Sequence, residues 1–138
     1  MQLLRWGPLV DAVAPDWEVW LDGGHNPLAG EVLGDVAAGW HDRRLYLIVG
    51  MMNTKDAAGF IAPLERHASA LWAVTIPGEQ NALPAEAIAA AAGSVGLAAR
   101  TAGSVLAAIR DIFTRGGDGR VLICGSLYFA GKVLAENG

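Results

Sequence analysis

The sequence predicts a three-layer α/β domain with a mostly parallel sheet, and three observations support the prediction. Short apolar runs rich in β-forming residues alternate along the chain with longer runs that have helical spacing. The short runs are apolar almost throughout, which is typical of strands covered on both faces by crossover helices. The chain has 138 residues, enough for one domain with its own core. Together these features indicate a doubly wound, Rossmann-like domain.

Each element follows from this alternation. The predicted strands are EVWLD (18–22), RLYLIVG (44–50), ALWAVTI (70–76), LAART (97–101) and RVLICG (120–125). The predicted helices cover 27–40, 57–67, 84–93, 104–114 and 127–136. Residues 1–17 contain two prolines and little periodicity, so we expect a lead-in segment with room for one edge strand. Residues 18–138 are expected to form the single Rossmann-like domain.

Composition excludes several classes of function. The net charge is −4 and no basic run is longer than Arg43-Arg44, so a nucleic-acid partner is not expected. Cys124 is the only cysteine and lies in an apolar run, which is typical of a reducing compartment and predicts a cytoplasmic protein. The first residues lack a signal pattern and no apolar run approaches the ~18 residues of a membrane span, so no membrane partner is expected.

Ligands of open α/β sheets bind beyond the carboxyl ends of the strands, so the residues after each strand are the candidates for a site. Three such junctions carry suitable side chains. They are DGGHNP (22–27), GMMNTKD (50–56) and GSLYFAGKVL (125–134).

The first junction, DGGHNP, has the features of an anion site. Its glycines allow close backbone approach, Asn26 is suited to cap the next helix, and Pro27 suits the first turn of that helix. The helix start favours negative charge, so Asp22 is a candidate acceptor for a ribose hydroxyl and His25 a candidate donor to a phosphate or carboxylate. The alternative is an Asx turn with His25 in solvent, and spacing does not decide between the two.

The second junction places Lys55 near a helix start, where carboxylates are the usual residues. Asn53 or Thr54 is expected to cap that helix. An anionic ligand bound at the helix start would explain why a lysine stands at this position. The alternative is a Lys55 that faces solvent or pairs with Asp56.

The third junction opens the last helix. Ser126 is expected to be its N-cap, with the next amides free for a carboxylate and Tyr128 closing over it. The alternative is a plain serine cap with Tyr128 packed against the protein.

In this order the three motifs resemble the carboxy-terminal domain of folylpolyglutamate synthase and dihydrofolate synthase, members of the Mur ligase superfamily. The D-G-A-H-N-P of that family stands here as DGGHNP, its G-x-x-x-x-K-D as residues 50–56, and its G-S-L-Y-L-A-G as GSLYFAG (125–131). The match covers about residues 17–137. Gly24 replaces an alanine and Phe129 a leucine, and neither change alters the chemistry of the motifs.

The resemblance implies a domain of an ATP-dependent amide ligase that adds L-glutamate to dihydropteroate or folates through an acyl phosphate. It implies that Asp22 and His25 bind ATP, with His25 also catalytic, and that Ser126, Tyr128 and Lys55 bind glutamate. It further implies ATP and magnesium, with magnesium held mainly by the central domain of the enzyme. The sequence has no Gly-x4-Gly-Lys-Ser/Thr loop, so the isolated chain is expected to be inactive without an amino-terminal and central ATPase domain as partner.

Two other classes of function remain open on the residues alone. A free-standing Rossmann-like module would bind a nucleotide or small anion without catalysis. A structural or assembly domain would use the three junctions only as turns and helix caps.

Overall fold

The computed structural model describes residues 1–115 and 117–138, in which a six-stranded sheet lies between two layers of helices. The strands are β1 (Gln2–Leu4), β2 (Glu18–Leu21), β3 (Arg44–Val49), β4 (Ala70–Ala73), β5 (Ala99–Thr101) and β6 (Gly119–Cys124). The helices are α1 (Pro8–Asp11), α2 (Pro27–Ala38), α3 (Ala57–Ile61), α4 (Ala85–Ser94), α5 (Val105–Phe113) and α6 (Leu127–Asn137). This architecture confirms the predicted three-layer α/β fold with a mostly parallel sheet.

The order of strands across the sheet is β1-β2-β6-β3-β4-β5. Strands β2 to β6 all run parallel to one another, and β1 pairs antiparallel with β2 at one edge. The last strand of the chain therefore lies between β2 and β3. Because β2, β6 and β3 run in the same direction, their carboxyl ends meet at one edge of the sheet.

The core consists of two apolar layers, one on each face of the sheet. Alternate residues of the strands pack against α1, α5 and α6 on one face. The remaining strand residues pack against α2, α3 and α4 on the other face. All six residues of β6 are buried, as expected for a central parallel strand.

Residues 1–17 contribute β1, α1 and part of the core. Leu4, Leu9 and Trp17 are all buried with the apolar layer formed by α5 and α6. At the end of the chain, Asn137 Nδ2 donates to the Trp6 carbonyl over 2.9 Å, and its Oδ1 accepts from the Leu9 amide over 3.0 Å. These bonds join the lead-in to the last helix.

One predicted helix divides in two. The run expected over 57–67 forms α3 and then a 3₁₀ segment, Ala62–His67. Pro63 has no N–H to donate, and its ring opposes a continuous α-helical ladder, so the tighter turn follows. The strand expected over 70–76 ends at Ala73, although Val74 and Ile76 remain buried.

The buried side chain of Arg120 links three segments of the chain at the amino-terminal edge of the sheet, opposite the edge that carries the predicted site. Arg120 Nε donates to Glu18 Oε1 over 2.6 Å, and Nη1 donates to Asp42 Oδ1 over 3.1 Å. The guanidinium carbon lies 4.5 Å from the ring centre of Trp40. The hydrogen bond from Arg120 holds the pKa of both carboxyls below their ordinary values. This cluster fixes the starts of β2 and β6 and the turn before β3, far from the predicted site.

Across residues 1–115 and 117–138, no helix is both long enough and apolar enough to span a membrane.

Candidate active site

The three predicted junctions follow the three adjacent strands β2, β6 and β3, and backbone hydrogen bonds connect them. The amide of Gly125 donates to the carbonyl of Gly24 over 3.0 Å, which links the third junction to the first. The amide of Gly50 donates to the carbonyl of Cys124 over 3.2 Å, which links the second junction to the end of β6, directly before the third junction. Because α2 leaves toward one face of the sheet and α6 toward the other, a crevice opens between their first turns.

Gly125 lies at the point where the junctions come closest. Its φ of 116° is in the region that glycine alone adopts readily. A Cβ atom here would lie 2.5 Å from the carbonyl oxygen of Gly50 and 2.9 Å from Met51 Cγ. The glycine therefore permits both the turn and the close approach of β3.

The first junction forms the predicted helix cap and also the Asx turn that was its alternative. Asn26 is the N-cap of α2, and its Oδ1 accepts from the Ala29 amide over 2.8 Å. Asp22 Oδ2 accepts from the Gly24 amide over 2.8 Å, which closes the Asx turn at the tip of β2. Asp22 Oδ1 lies 3.0 Å from the α-amino group of Met1.

His25 is half-buried, in contrast to the solvated ring of the alternative interpretation. Its Nδ1 lies 3.3 Å from the carbonyl oxygen of Gly23. When Nδ1 carries a proton it donates to that carbonyl, and Nε2 is left for a ligand. A ring that also donates from Nε2 is the imidazolium form.

In the third junction Ser126 is the N-cap of α6, as predicted. Its side chain is 2% exposed, and its Oγ accepts from the amides of Tyr128 over 3.1 Å and Phe129 over 3.4 Å. Within the described residues, no acceptor takes the hydroxyl proton of Ser126 or the amide proton of Leu127. A buried hydroxyl and a free helix-start amide thus offer two donors at one place.

The second junction differs from the prediction at its cap. Asp56, not Asn53 or Thr54, caps α3, and its Oδ1 accepts from the Gly59 amide over 2.9 Å. With Asp56 occupied in this way, Lys55 forms no ion pair with any of residues 1–115 and 117–138. Its side chain is exposed at the edge of the sheet.

The loop that carries Lys55 is braced by the loop after β4. The amide of Asn53 donates to Asn81, and the amide of Leu83 donates to Met51, each over 2.8 Å. Residue 52 also forms an isolated antiparallel bridge with Ala82. Local sequence does not indicate this brace, because it depends on a turn about 30 residues further along the chain.

These side chains line a cavity of about 250 Å³ at the carboxyl edge of the sheet. Its walls are formed by His25, Met52, Lys55, Ser126, Leu127 and Tyr128. Every predicted site residue lines it except Asp22, which directly follows β2. Tyr128 is 62% exposed, so it is not packed against the protein. The cavity combines a cation, an imidazole, a hydroxyl donor and a helix start, a set suited to an anion.

Leu127 is the lining residue that the sequence did not single out. It is 71% exposed, although leucine is usually buried. Its position directly after the N-cap serine could have identified it, since side chains in a helix tilt toward the N-terminus of that helix, where an anion binds. Met52 also lies in the cavity wall.

Cys124 lies just beneath the site and is fully buried. Burial raises the pKa of its thiol, and the charge of Asp22 raises it further. The thiol therefore stays protonated and does not act as a nucleophile.

Known proteins resemble this chain both in sequence and in fold. The family model described as the glutamate ligase domain of Mur ligases matches residues 9–127. Among the curated proteins, no sequence matches this chain.

Three solved structures illustrate the likeness. Mycobacterium tuberculosis folylpolyglutamate synthase complexed with ADP is 29% identical, with a TM-score of 0.77 over 91% of this chain and 30% of its own. E. coli FolC in complex with DHPP and ADP is 26% identical, with a TM-score of 0.72 over 90% of this chain and 29% of its own. The bifunctional folylpolyglutamate synthase/dihydrofolate synthase of Yersinia pestis, with AMPPNP and Mn, is 25% identical, with a TM-score of 0.74 over 97% and 30%.

This chain thus spans about 30% of the length of the enzymes that it resembles. The family model covers most of its residues, and the solved structures share its strand and helix arrangement. The chain belongs to the Mur ligase family, as a glutamate ligase domain.

Proposed function

We propose that the chain is the carboxy-terminal domain of an ATP-dependent amide ligase that adds L-glutamate to dihydropteroate, to folates or to both. The cavity that joins His25, Lys55, Ser126 and Tyr128 is the single observation that carries the proposal. The similar enzymes from M. tuberculosis, E. coli and Y. pestis are solved with ADP or AMPPNP, which supports a nucleotide substrate.

In the proposed reaction the γ-phosphate of ATP passes to the carboxylate of the pteroate or folate, giving an acyl phosphate and ADP. The amine of glutamate then attacks the acyl carbon and the amide C–N bond forms. The bond from the acyl carbon to the phosphate oxygen breaks, inorganic phosphate leaves, and the amine nitrogen loses a proton. Several negative charges surround one carbon during these steps, so fixed hydrogen-bond donors are needed there.

The incoming glutamate binds through its carboxylates. The Ser126 hydroxyl and the Leu127 amide donate to one carboxylate, since both protons lack an acceptor in the described part of the chain. Lys55 pairs with the other carboxylate, and the exposed ring of Tyr128 closes over the bound amino acid. The reaction requires the amine to be held about 3–3.5 Å from the acyl carbon, the distance from which attack proceeds.

The nucleotide binds at the first junction. His25 donates from Nε2 to the phosphoryl oxygens while Nδ1 stays bonded to Gly23, and the start of α2 adds its positive end. Asp22 accepts from a ribose hydroxyl through Oδ1, because Oδ2 is already bonded to Gly24.

Magnesium does not fit the residues of this domain. No group of three or more His, Cys, Asp or Glu side chains in the described ranges is placed to hold a metal ion. We therefore assign magnesium to the amino-terminal and central parts of the ligase, which are also expected to carry the phosphate loop. The chemistry assigned to this domain is binding, orientation and charge stabilisation.

The proposal predicts that the purified 138-residue chain forms no ADP from ATP and ligates no glutamate. The full-length ligase should instead release ADP only when both glutamate and a pteroate or folate acceptor are present. An assay coupled to ADP formation measures both proteins under the same conditions. ATP binding by the isolated chain should be weak or undetectable, because half of a site offers part of the contacts at the full cost in association entropy.

Turnover by the isolated chain above a buffer blank would contradict this proposal. Binding of ATP by the isolated chain as tight as that of the full-length ligase would favour a free-standing binding module instead.

A further inference from the structure

The two lysines of the chain lie beside one loop at the carboxyl edge of the sheet. Of the lysine and arginine residues, only Lys55 and Lys132 are lysines. Lys55 belongs to the second junction, whose backbone pairs with the segment over 74–84 that follows β4, here called the β4 loop. Lys132 lies on α6, and its Nζ reaches the same loop, because a Cβ atom on Gly78 would lie 3.3 Å from it.

Lys132 is connected to the cavity through Tyr128. The two residues are four apart on α6, so they share one face of the helix and lie one turn from each other. Tyr128 forms part of the cavity wall. Side chains in a helix tilt toward its N-terminus, so the stem of Lys132 extends back toward Tyr128 and the carboxyl edge of the sheet. The contact of Nζ with Gly78 agrees with this direction and places the ammonium group on the Tyr128 side of the cavity.

The charge of Lys132 has no partner in the part of the chain that the structure describes. Two carboxylates are near enough to be considered, Glu136 one turn further along α6 and Glu79 directly after Gly78. Neither of them forms an ion pair with Lys132. The lysine is half-buried, so its charge has lost part of its hydration without gaining a carboxylate. An anion from outside the domain would offset this loss.

The two acceptors that the proposed function allows differ by one carboxylate. Dihydropteroate ends in a single carboxylate, which is the group that receives the phosphate. A folate ends in glutamate, so activation of one carboxylate leaves the other ionised close to the reacting carbon. In the proposed reaction His25 binds the nucleotide, and Lys55 and Ser126 bind the incoming glutamate. A folate acceptor therefore brings one more negative charge to the cavity than these three residues neutralise.

We propose that Lys132 binds the second carboxylate of a folate acceptor and selects acceptors that already carry glutamate. The inference rests on the proposed function and names the acceptor class that the three junctions leave open. Lys132 forms no bond with the reacting atoms. Its contribution is selectivity between a folate and dihydropteroate.

Kinetics of the full-length ligase with two matched acceptors test the proposal. One is a folate, and the other is the same folate with the carboxylate that is not activated converted to a carboxamide. Lys132→Met should raise the KM for the folate by about three- to tenfold, between the effects of an exposed ion pair and of a buried charged hydrogen bond. The KM for the carboxamide, or its Ki if it is not turned over, should change by less than about twofold. Lys132→Arg keeps the charge and should retain most of the affinity for the folate.

Ionic strength separates charge pairing from a structural effect of the substitution. Salt screens a half-exposed ion pair, so the difference in KM for the folate between the unmodified ligase and Lys132→Met should shrink as salt is added. Arg110→Met is the control, because it removes an exposed cation on α5 that does not line the cavity. It should leave the KM for both acceptors unchanged at every salt concentration.

Equal changes in the KM for the folate and for its carboxamide in Lys132→Met would overturn the proposal, since the lysine would then not recognise the carboxylate. An unchanged KM for the folate, or a ligase that accepts dihydropteroate alone, would overturn it as well. Failure of the proposed function is seen separately, as a ligase that releases no ADP in response to glutamate with any pteroate or folate acceptor.

Discussion

At the scale of single residues, the role that we propose for His25 depends on which of its ring nitrogens is free. The contact between Nδ1 and the Gly23 carbonyl orients the ring at the cavity wall and leaves Nε2 for the ligand. Oriented donors of this kind stabilise charge that develops during a reaction more than they stabilise the bound substrate. A kinetic measurement separates these two effects.

His25→Ala in the full-length ligase should therefore lower kcat more than it raises the KM for ATP. We expect kcat to fall by about ten- to a thousandfold, the range for loss of one preorganised donor. Steady-state kinetics with ATP as the varied substrate is the measurement. A variant that keeps its full kcat and only melts at a lower temperature would show that His25 is structural.

Gly125 makes a prediction about stability. Gly125→Ala places a side chain at a φ of 116° and 2.5 Å from the Gly50 carbonyl oxygen, so backbone strain and steric overlap add together. The expected loss of unfolding free energy is about 2–4 kcal/mol. Gly117→Ala is the matched control, since Gly117 also has a positive φ, of 76°, but open space around its Cβ. It should lose only about 1 kcal/mol.

Urea unfolding of the two variants tests this difference. Equal losses would show that the close approach of β3 to Gly125 does not matter to stability, and that the backbone conformation alone requires glycine at both positions.

At the scale of elements, the five predicted strands were located within a few residues because their apolar runs are nearly continuous. The helix caps Asn26 and Ser126 were also predicted, because each stands directly before a helical run. The prediction of the N-cap of α3 was wrong. Asn53, Thr54 and Asp56 all have suitable side chains, and only the loop geometry selects the aspartate. Local sequence does not contain that geometry.

The short elements of the lead-in were harder to predict for a related reason. β1 has three residues and α1 has four, too few to show a period. They are held by long-range contacts such as the bonds of Asn137 to Leu9 and Trp6. The Arg120 cluster was equally invisible, because Glu18, Asp42 and Arg120 are far apart along the chain.

The Arg120 cluster predicts a dependence of stability on pH. Its hydrogen bond lowers the folded-state pKa of Glu18 below the ordinary value of 4.5. A carboxyl with a lowered folded pKa stabilises the protein above its unfolded pKa, and that stability is lost as the pH falls through the folded pKa. Glu18→Gln should therefore cost about 1–3 kcal/mol at pH 7 and much less near pH 3.

Thermal melting of both proteins between about pH 7 and pH 3 measures this convergence. Asp42 and Asp111 also have lowered pKa values, so the variant should keep part of the acid sensitivity of the unmodified chain. Glu31→Gln, which removes an exposed carboxylate, should follow the unmodified chain at every pH. A constant difference between Glu18→Gln and the unmodified chain at all pH values would exclude a role for ionised Glu18.

At the scale of the whole molecule, the strand order assembles the site. The first and third junctions are about 100 residues apart in sequence, yet β6 lies directly beside β2 and bonds to its junction through Gly125 and Gly24. The sequence predicted which residues follow the strands, but not which strands are neighbours. The resemblance to a known family indicated that the three junctions form one site. The sheet topology gives the physical reason, because the strands that precede the junctions are neighbours.

Ser126 and Lys55 follow different strands but line one cavity, and the proposed function makes them parts of one glutamate site. Its most direct test is the KM for glutamate of Ser126→Ala in the full-length ligase. Loss of one hydrogen bond to a charged ligand should cost about 1.5–3 kcal/mol, so this KM should rise about ten- to a hundredfold while the KM for ATP changes little. Lys55→Gln should shift the same constant in the same direction.

Because Ser126 also caps α6, its loss can cost about 1 kcal/mol of stability, and melting temperatures are measured alongside the kinetics. Ser126→Gly separates the two effects, since glycine is tolerated at an N-cap but has no hydroxyl to donate. It should reproduce the rise in the KM for glutamate with a smaller loss of stability. If both variants keep a normal KM for glutamate and only the KM for ATP rises, the glutamate site lies elsewhere and the start of α6 belongs to the nucleotide.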